Sequence, residues 1–585
     1  MSAMESVFRI TKRHTSLSDF LLILFFSLIL TSSSSVVYRA VAQTPSSLVY
    51  FHPFAKNFSE ISIHATAIDT EGCVYLAGTI NDTPRISFFP IGGDIPGFSK
   101  EYNGGSSDAF VMKLDSSGTK LLFSTFIGGS DMDRVSSICL DDEGKIYIAG
   151  DTVSQPADGF PIGGDIPGFR SAAIENETLD GFLIILDPSG TEVVYSSYIG
   201  GSSSESMGRM ALDHEGNIYL TGYTLSTENH GFPIGEDIPG YDTAFNSDLK
   251  IDFGEPAFDA FVMKLDPTGM KVLYSTYLGG TGYNTTDNMV IDSLGRAHVT
   301  GALGKLSTVP QVYSEPFIWK ENLLWEHEYE NEEFASYVIL NSKGTAVTFS
   351  AVPPLHGRLR LDSQDHTVVV GEVNENIFNS LDLSEDIPGF TQEFRGQQDI
   401  GVMILDTTRK EVLATTYLGG TDLQFMDLYV DKSDQIYILG YVNHPAHLNW
   451  ESEYIPVTEG LHQRSGYCFL VKMDSQLETI LYASHFESMD RDKDYFGLNM
   501  YVDEHEQAYI AGHMPETLKD YSFVMKVDTT IDARASEKIN QDVMEDAQKS
   551  IPSSPQVLFW MIFLILLLLL VLGWIRVRSK GKKSG

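Results

Sequence analysis

The sequence predicts an all-β fold, a seven-bladed β-propeller of four-stranded antiparallel blades. Three observations predict it. A motif of the form Asp-x-x-Gly-x-x-Tyr-x-x-Gly recurs seven times at nearly constant spacing. Each copy resolves into four short β-branched and aromatic runs separated by Asp, Gly and Pro turns, the pattern of consecutive hairpins. The last copy lacks its fourth run, while a spare run stands ahead of the first. Radial repetition of four-stranded units is the propeller solution to exposed sheet edges.

The leading residues of the copies are Asp69, Asp141, Asp213, Asp292, Asp362, Asp431 and Asp503, at steps of 72, 72, 79, 70, 69 and 72. Later copies are degenerate: His298 and Val368 stand where others carry Tyr, and Asp365, Asp434 and Glu506 stand where others carry Gly. An Asp in a hairpin turn accepts hydrogen bonds from the backbone just ahead of it, and Gly supplies a positive φ. These residues therefore read as turn chemistry rather than catalysis or calcium binding. Tyr75, Tyr147, Tyr219, Tyr437 and Tyr509 read as packing groups between blades with satisfied hydroxyls.

The third copy shows the four runs: residues 207–213, 217–222, 260–266 and 271–278. Fourth runs follow copies one to six near Leu122, Val194, Leu273, Val347, Leu413 and Leu481. The seventh copy stops after residues 521–528, so the run 47–51 is expected to pair with it and close the ring, covering two open edges. The phrase Asp259-Ala-Phe-Val-Met-Lys-Leu-Asp-Pro-Thr-Gly269, then Tyr274-Ser-Thr-Tyr-Leu-Gly-Gly280, then Asp292-x-x-Gly295, resembles the SBBP (seven-bladed β-propeller) repeat family. It recurs at Asp108 to Gly129 and, less cleanly, at Asp180 to Gly201 and Asp399 to Gly420, and the resemblance covers roughly residues 47 to 528. It implies the propeller fold and a surface or secreted setting, without implying a ligand.

Both ends carry apolar segments. Basic residues Arg9, Lys12 and Arg13 precede an eleven-residue apolar run ending at Leu30, with Ala40-Val41-Ala42 beyond, so residues 1–42 read as a cleavable signal peptide. An uncleaved anchor is the alternative, because Leu30 lies far from that site. Residues 557–575 hold no charge and are long enough for a transmembrane helix, with Trp560 and Trp574 near its ends. The basic tail 576–585 marks the cytoplasmic side. Residues 43–528 form the expected propeller domain, and the polar stretch 529–556 the expected stalk. The expected location is the plasma membrane, single-pass, with the propeller outside.

The charge fits this division. The chain holds 40 Lys+Arg and 79 Asp+Glu, a net charge of -39, whereas residues 43–556 alone hold 31 basic and 77 acidic side chains, or -46. Such acidity argues against nucleic acid as a partner. Three Cys provide no disulfide framework and read as buried free thiols.

A phrase from Phe89 to Phe98 recurs as Phe160 to Phe169, as Phe232 to Tyr241 and, shortened, as Glu385 to Phe390. Its Ile-Pro-Gly-aromatic core fits a type II turn. Its aligned acids Asp94, Asp165, Asp237 and Asp386 are candidate calcium ligands, although no Asp-x-Asp-x-Asp run accompanies them. The other reading is a structural loop packing aromatic residues over neighbouring blades.

The loops between second and third runs share one face of the disc with the connections between blades. That face carries Trp319, Trp325 and Trp450, the only Trp outside the membrane segment, together with Asp131, Asp133, Arg134 and Arg209. Exposed Trp and charge on loops point to an extracellular protein or glycan ligand; covering of the blade edges is the alternative. Asn57, Asn81, Asn176 and Asn284 head glycosylation sequons.

No nucleophile elbow, zinc-protease helix, phosphate loop or dinucleotide fingerprint occurs in a fitting context, and no cofactor is implied. His444 and His447 sit in a loop without an obvious third metal ligand. The leading expectation is a non-catalytic recognition or adhesion module. A surface enzyme acting on glycans with carboxylates near the central channel, and a structural envelope component, are the alternatives.

Overall fold

The computed structural model describes residues 48–54, 61–81, 102, 104–118, 120–155, 160–161, 178–190, 192–227, 231–232, 258–278 and 284–302. It further describes 335–351, 355–373, 399–409, 411–418, 423–442, 466–487, 496–514 and 521–530. The described residues all fall within one compact unit, Ser47–Ile531. The expected signal peptide, transmembrane segment and cytoplasmic tail lie outside them, as does nearly all of the stalk.

Seven four-stranded antiparallel sheets follow one another. The first holds β2 (Ile61–Ile68), β3 (Val74–Asn81), β4 (Ser107–Leu114) and β5 (Leu121–Ile127). The second holds β6 (Asp133–Leu140), β7 (Ile146–Thr152), β8 (Asp180–Leu186) and β9 (Val193–Ile199); the third β10 (Glu205–Leu212), β11 (Ile218–Thr224), β12 (Asp259–Leu265) and β13 (Val272–Leu278). The fourth is β14 (Asn288–Ile291), β15 (Ala297–Ala302), β16 (Ala335–Leu340) and β17 (Val347–Ala351), and the fifth β18 (His356–Leu361), β19 (Thr367–Val373), β20 (Asp399–Leu405) and β21 (Val412–Leu418). The sixth is β22 (Leu423–Val430), β23 (Ile436–Val442), β24 (Gly466–Met473) and β25 (Ile480–Glu487). The seventh combines β26 (Phe496–Val502), β27 (Gln507–Met514) and β28 (Tyr521–Asp528) with β1 (Leu48–Phe54), whose Phe51 lies opposite Met525.

The first strand of each blade is innermost. Strands β2, β6, β10, β14, β18, β22 and β26 neighbour one another in that order, and β26 returns to β2. The chain is therefore an all-β ring of seven blades. Along these strands alternate residues are buried between blades and the intervening ones face the axis, the period-2 alternation of a strand with one packed face. The second and third strands are buried on both faces. They join in seven hydrophobic clusters, several of which join neighbouring blades, as where Tyr75 and Phe123 of the first meet Ile148 and Phe182 of the second. Each fully buried Ile, Leu or Phe contributes roughly 1.5–3 kcal/mol.

The repeated Asp performs the turn chemistry expected of it. Asp213 accepts Glu215 and Asn217 backbone N–H groups on Oδ1 at 3.0 and 2.9 Å. Its Oδ2 takes the Tyr219 hydroxyl at 3.1 Å and the Lys264 ammonium at 3.0 Å, and that ammonium lies 4.6 Å from the Tyr219 ring centre. The same set recurs at Asp69, Tyr75 and Lys113. Gly216 closes the turn at φ +78°, a region disfavoured for side-chain-bearing residues.

Degenerate copies rebuild this unit differently. Asp365 and Asp434 adopt the positive φ that Gly holds elsewhere, at 63° and 60°, and each carboxylate binds the backbone of the preceding blade's turn, at Ser293 and Ser363. In the fourth blade His298 replaces Tyr and bonds Asp292 at 3.1 Å and the Tyr337 hydroxyl at 2.7 Å. Burial first, and the nearby Arg409 guanidinium against the pull of Asp292, lower the His298 pKa to about 4. Arg409 is only 1% exposed and reaches His298, Thr367 and the Asp365 carbonyl at 3.4, 3.1 and 3.1 Å.

Two anchors of the repeated proline loops are described. Phe160 packs against Phe182 and stacks on Tyr198, with ring centres 5.3 and 5.5 Å away. Phe232 repeats this on Phe261 and Tyr277. Both rings lie on strands of their own blade and belong to clusters shared with the preceding blade, while the aromatic residues that end these phrases, Phe98, Phe169, Tyr241 and Phe390, lie outside the described residues. The tyrosine hydroxyls donate to the carbonyls of Ser154 and Ser226, which fixes the start of each loop.

Candidate functional site

The Gly-Gly pair that ends the Asp108–Gly129 phrase and the Asp that begins it meet Asp133 between blades. Asp133, fully buried at the start of β6, accepts Gly129 N–H and Ser154 Oγ at 2.8 and 2.9 Å and also the Thr152 hydroxyl. A Cβ on Gly128 would lie 2.7 and 2.8 Å from carboxylate oxygens of Asp133 and Asp108, so only Gly fits there. Burial, partly offset by these hydrogen bonds, raises the Asp133 pKa to about 7.

One blade further on, Glu205 takes the same place. It accepts Gly201 N–H at 3.0 Å and Thr224 Oγ1 at 2.6 Å, and its carboxyl meets that of Asp180. Burial and the like charge of its partner hold Asp180 far above the carboxylate range, so the pair shares a proton. In the next blade the position is Asn284, whose amide donates to Asp259 Oδ1 at 2.9 Å. These paired acids are blade-to-blade latches without solvent access.

This geometry corrects two sequence expectations. Asp133 is a latch residue, not a surface ligand group, because Gly129, Thr152 and Ser154 fold around it. Asn284 is fully buried and its amide is engaged, so no glycan fits on it. Asn81 is exposed at the end of β3, and Asp131 is exposed beside β6 with its N–H bonded to Ser154 Oγ at 3.0 Å. Trp319, Trp325, Trp450, Asp94, Asp165, Asp237, Asp386, Asn57 and Asn176 lie outside the described residues. Among the described residues no cluster of His, Cys, Asp and Glu is arranged to hold a metal ion.

The other two expected residues, Arg134 and Arg209, face the axis and belong to a larger basic group. Arg134 on β6 pairs with Asp151 at 2.7 Å. Arg209 sits in a β-bulge of β10 between Met207 and Met210. Its Nε reaches the Asp287 carbonyl at 3.4 Å. Arg358 and Arg360 follow on β18, where Arg358 pairs with Asp427 of β22 and Arg360 stands 4.0 Å from that carboxylate. Asp427 also accepts Leu428 and Met500 N–H groups at 2.8 and 2.7 Å.

Three guanidiniums therefore surround one already saturated carboxylate. Desolvation first, then repulsion from Arg358, push the Arg209 pKa down to about 10. His64 on β2 feels the same field: enclosure by the channel walls, then Arg134 and Arg209, lower its pKa. A cavity of about 550 Å³ opens beside the cluster, lined by Arg209, Arg358, Asp287, Glu372, Thr286 and Phe425 among others. Sequence reasoning missed Arg358, Arg360 and Asp427. The available signal was the alternating Arg358-Leu-Arg360: four residues before the repeated Asp, the third and sixth copies are also charged, as Arg209 and Asp427, and two residues before it only Arg360 is charged.

No family model matches the chain, and no curated protein does. Solved structures similar to it include the polysaccharide lyase Uly1, at 7% identity and TM-score 0.40 over 80% of this chain and 90% of that one. BamB from Moraxella catarrhalis matches at 8% and 0.31 over 81% and 99%. An acylaminoacyl peptidase from Pyrococcus horikoshii matches at 7% and 0.36 over 80% of this chain and 52% of its own. Likeness at this level carries no argument about this chain. The sheet order and the closed succession of inner strands make this chain a seven-bladed β-propeller.

Proposed function

We propose that the propeller is a non-catalytic recognition module of the SBBP-repeat type that binds an extracellular protein or glycan at its axial face. The observation that carries this reading is the axial cluster of Arg134, Arg209, Arg358 and Arg360 beside a cavity, in a chain of net charge -39. Basic side chains gathered on one concave face against the prevailing charge make a local binding field. Residues 1–42 would direct export and residues 557–575 would anchor the module at the plasma membrane, propeller outside. Strand β1 would close the ring.

The test is a glycan array and an extracellular pull-down with the full chain in mild detergent. A specific ligand whose capture survives washing supports the reading. Turnover of a polysaccharide, or no retained ligand on either platform, refutes it. Protease digestion of intact cells that removes the propeller but spares the tail supports the topology.

A further inference from the structure

We propose that the axial cavity between β10, β14, β18 and β22 is a receptor for an acidic sugar, its carboxylate or sulfate group held by Arg209 and Arg358. The inference rests on the recognition reading and names the ligand class for that site.

The basic side is built for an oxyanion. Arg358 and Arg360 share Asp427, which is already satisfied by two backbone N–H groups. Among the described residues Arg209 has one weak carbonyl contact, at its Nε, and it feels repulsion from Arg358 and Arg360 against attraction from Asp427 and Asp287. Inserting one oxyanion relieves that repulsion, and two guanidinium forks can grip it with charge-assisted hydrogen bonds.

The rest of the lining suits hydroxyl groups. Asp287 and Glu372 line the same cavity and offer carboxyl oxygens as acceptors. Thr286 Oγ1 and Thr300 Oγ1 are buried there without a protein hydrogen-bond partner among the described residues. Phe425 supplies an apolar surface.

A cavity of about 550 Å³ is in the range of sites for small molecules. A simple anion leaves the acceptors idle, and a neutral sugar leaves the arginines idle. An acidic sugar uses both. The acidic exterior repels long polyanions, which favours a single residue or a chain end.

The test measures thermal stability and isothermal titration of the full chain in mild detergent with D-glucuronate, glucose 6-sulfate, glucose, inorganic sulfate and a uronic acid oligomer at matched ionic strength. The expected result is saturable stabilisation by glucuronate or glucose 6-sulfate, none by glucose and less by sulfate. Tighter binding of the oligomer than of the monosaccharide identifies a chain end as the source, and the reverse identifies the free sugar acid. Arg209→Gln should weaken binding at least about tenfold, while Arg209→Lys retains part of it.

Arg209→Gln should also leave the empty protein as stable or more so, because it removes a repelled charge. An affinity unchanged by Arg209→Gln, or no response to any anionic sugar at 50 mM concentration (about the weakest useful affinity), overturns the proposal. Array ligands retained equally by wild type and Arg209→Gln would overturn this site while sparing the recognition reading. Sugar acid binding without any array or pull-down ligand would do the opposite.

Discussion

Replacing Asp180 by Asn should change how stability depends on pH, and the size of the change follows from the latch it forms with Glu205. The two carboxyl groups are buried against each other, with Glu205 fully covered and already accepting Gly201 N–H and Thr224 Oγ1. Both folded-state pKa values are raised, burial being the first cause for each. A raised pKa contributes stability that is fully present below the unfolded carboxylate value near 4 and is lost as pH rises through the folded value. While the pair holds one proton more than the unfolded chain, each pH unit removes about 1.4 kcal/mol. An Asn at 180 supplies a permanent donor to Glu205 in place of that proton, an acid–amide pairing the chain already uses between Asp259 and Asn284.

The expected gain of Asp180→Asn over wild type therefore grows by about 3 kcal/mol between pH 5 and pH 7. Comparing the two proteins is essential. Asp133, raised to about 7, adds a slope of the same sign in both, while neutral His298, lowered to about 4, adds the opposite slope below pH 6.5 in both. The assay is urea unfolding followed by tryptophan fluorescence and circular dichroism across that range. A stability difference that stays constant from pH 5 to pH 7 would refute the shared-proton latch.

Further outcomes are expected. The Tyr219 hydroxyl lies 3.1 Å from Asp213 Oδ2 and 2.8 Å from the Gly295 carbonyl of the next blade, so Tyr219→Phe should cost about 1–2 kcal/mol by the same unfolding assay. Gly128→Ala should cost about 2–3 kcal/mol through overpacking against Asp108 and Asp133; a variant with wild-type midpoint would show that the latch yields freely. Deleting residues 48–54 should leave β28 with an open edge and produce association detectable by light scattering, whereas a monodisperse product of unchanged melting temperature would contradict ring closure by β1. The Cys139 thiol is pushed up to about 12 and Cys468 is also raised by burial, so both should resist alkylation at pH 8 until the protein is unfolded.

The blade plan was legible because its signals are local. The repeated Asp, the turn Gly and the hydrophobic runs act within a few residues of themselves, so copy number and strand boundaries follow from spacing. The axial cluster was only half legible, because its members come from separate blades. Arg209 lies in a bulge, where strand alternation no longer says which way a side chain points. Arg358 and Asp427 are 69 positions apart and meet only through the ring. Asp133 was read as a ligand group because its position on the loop face is visible in sequence, while the residues that enclose it are not adjacent in the chain.

The substituted turns of the fourth and fifth copies have a consequence for how such a ring can evolve. Arg409 is buried against His298 of the preceding blade, and Asp365 and Asp434 each bind the backbone of the blade before their own. Exchange of a single copy by recombination would strand one member of each of these contacts, leaving a buried guanidinium without its imidazole or a carboxylate without its turn. These copies are thereby tied to their positions in the ring, and moving either one would break a contact that crosses between blades.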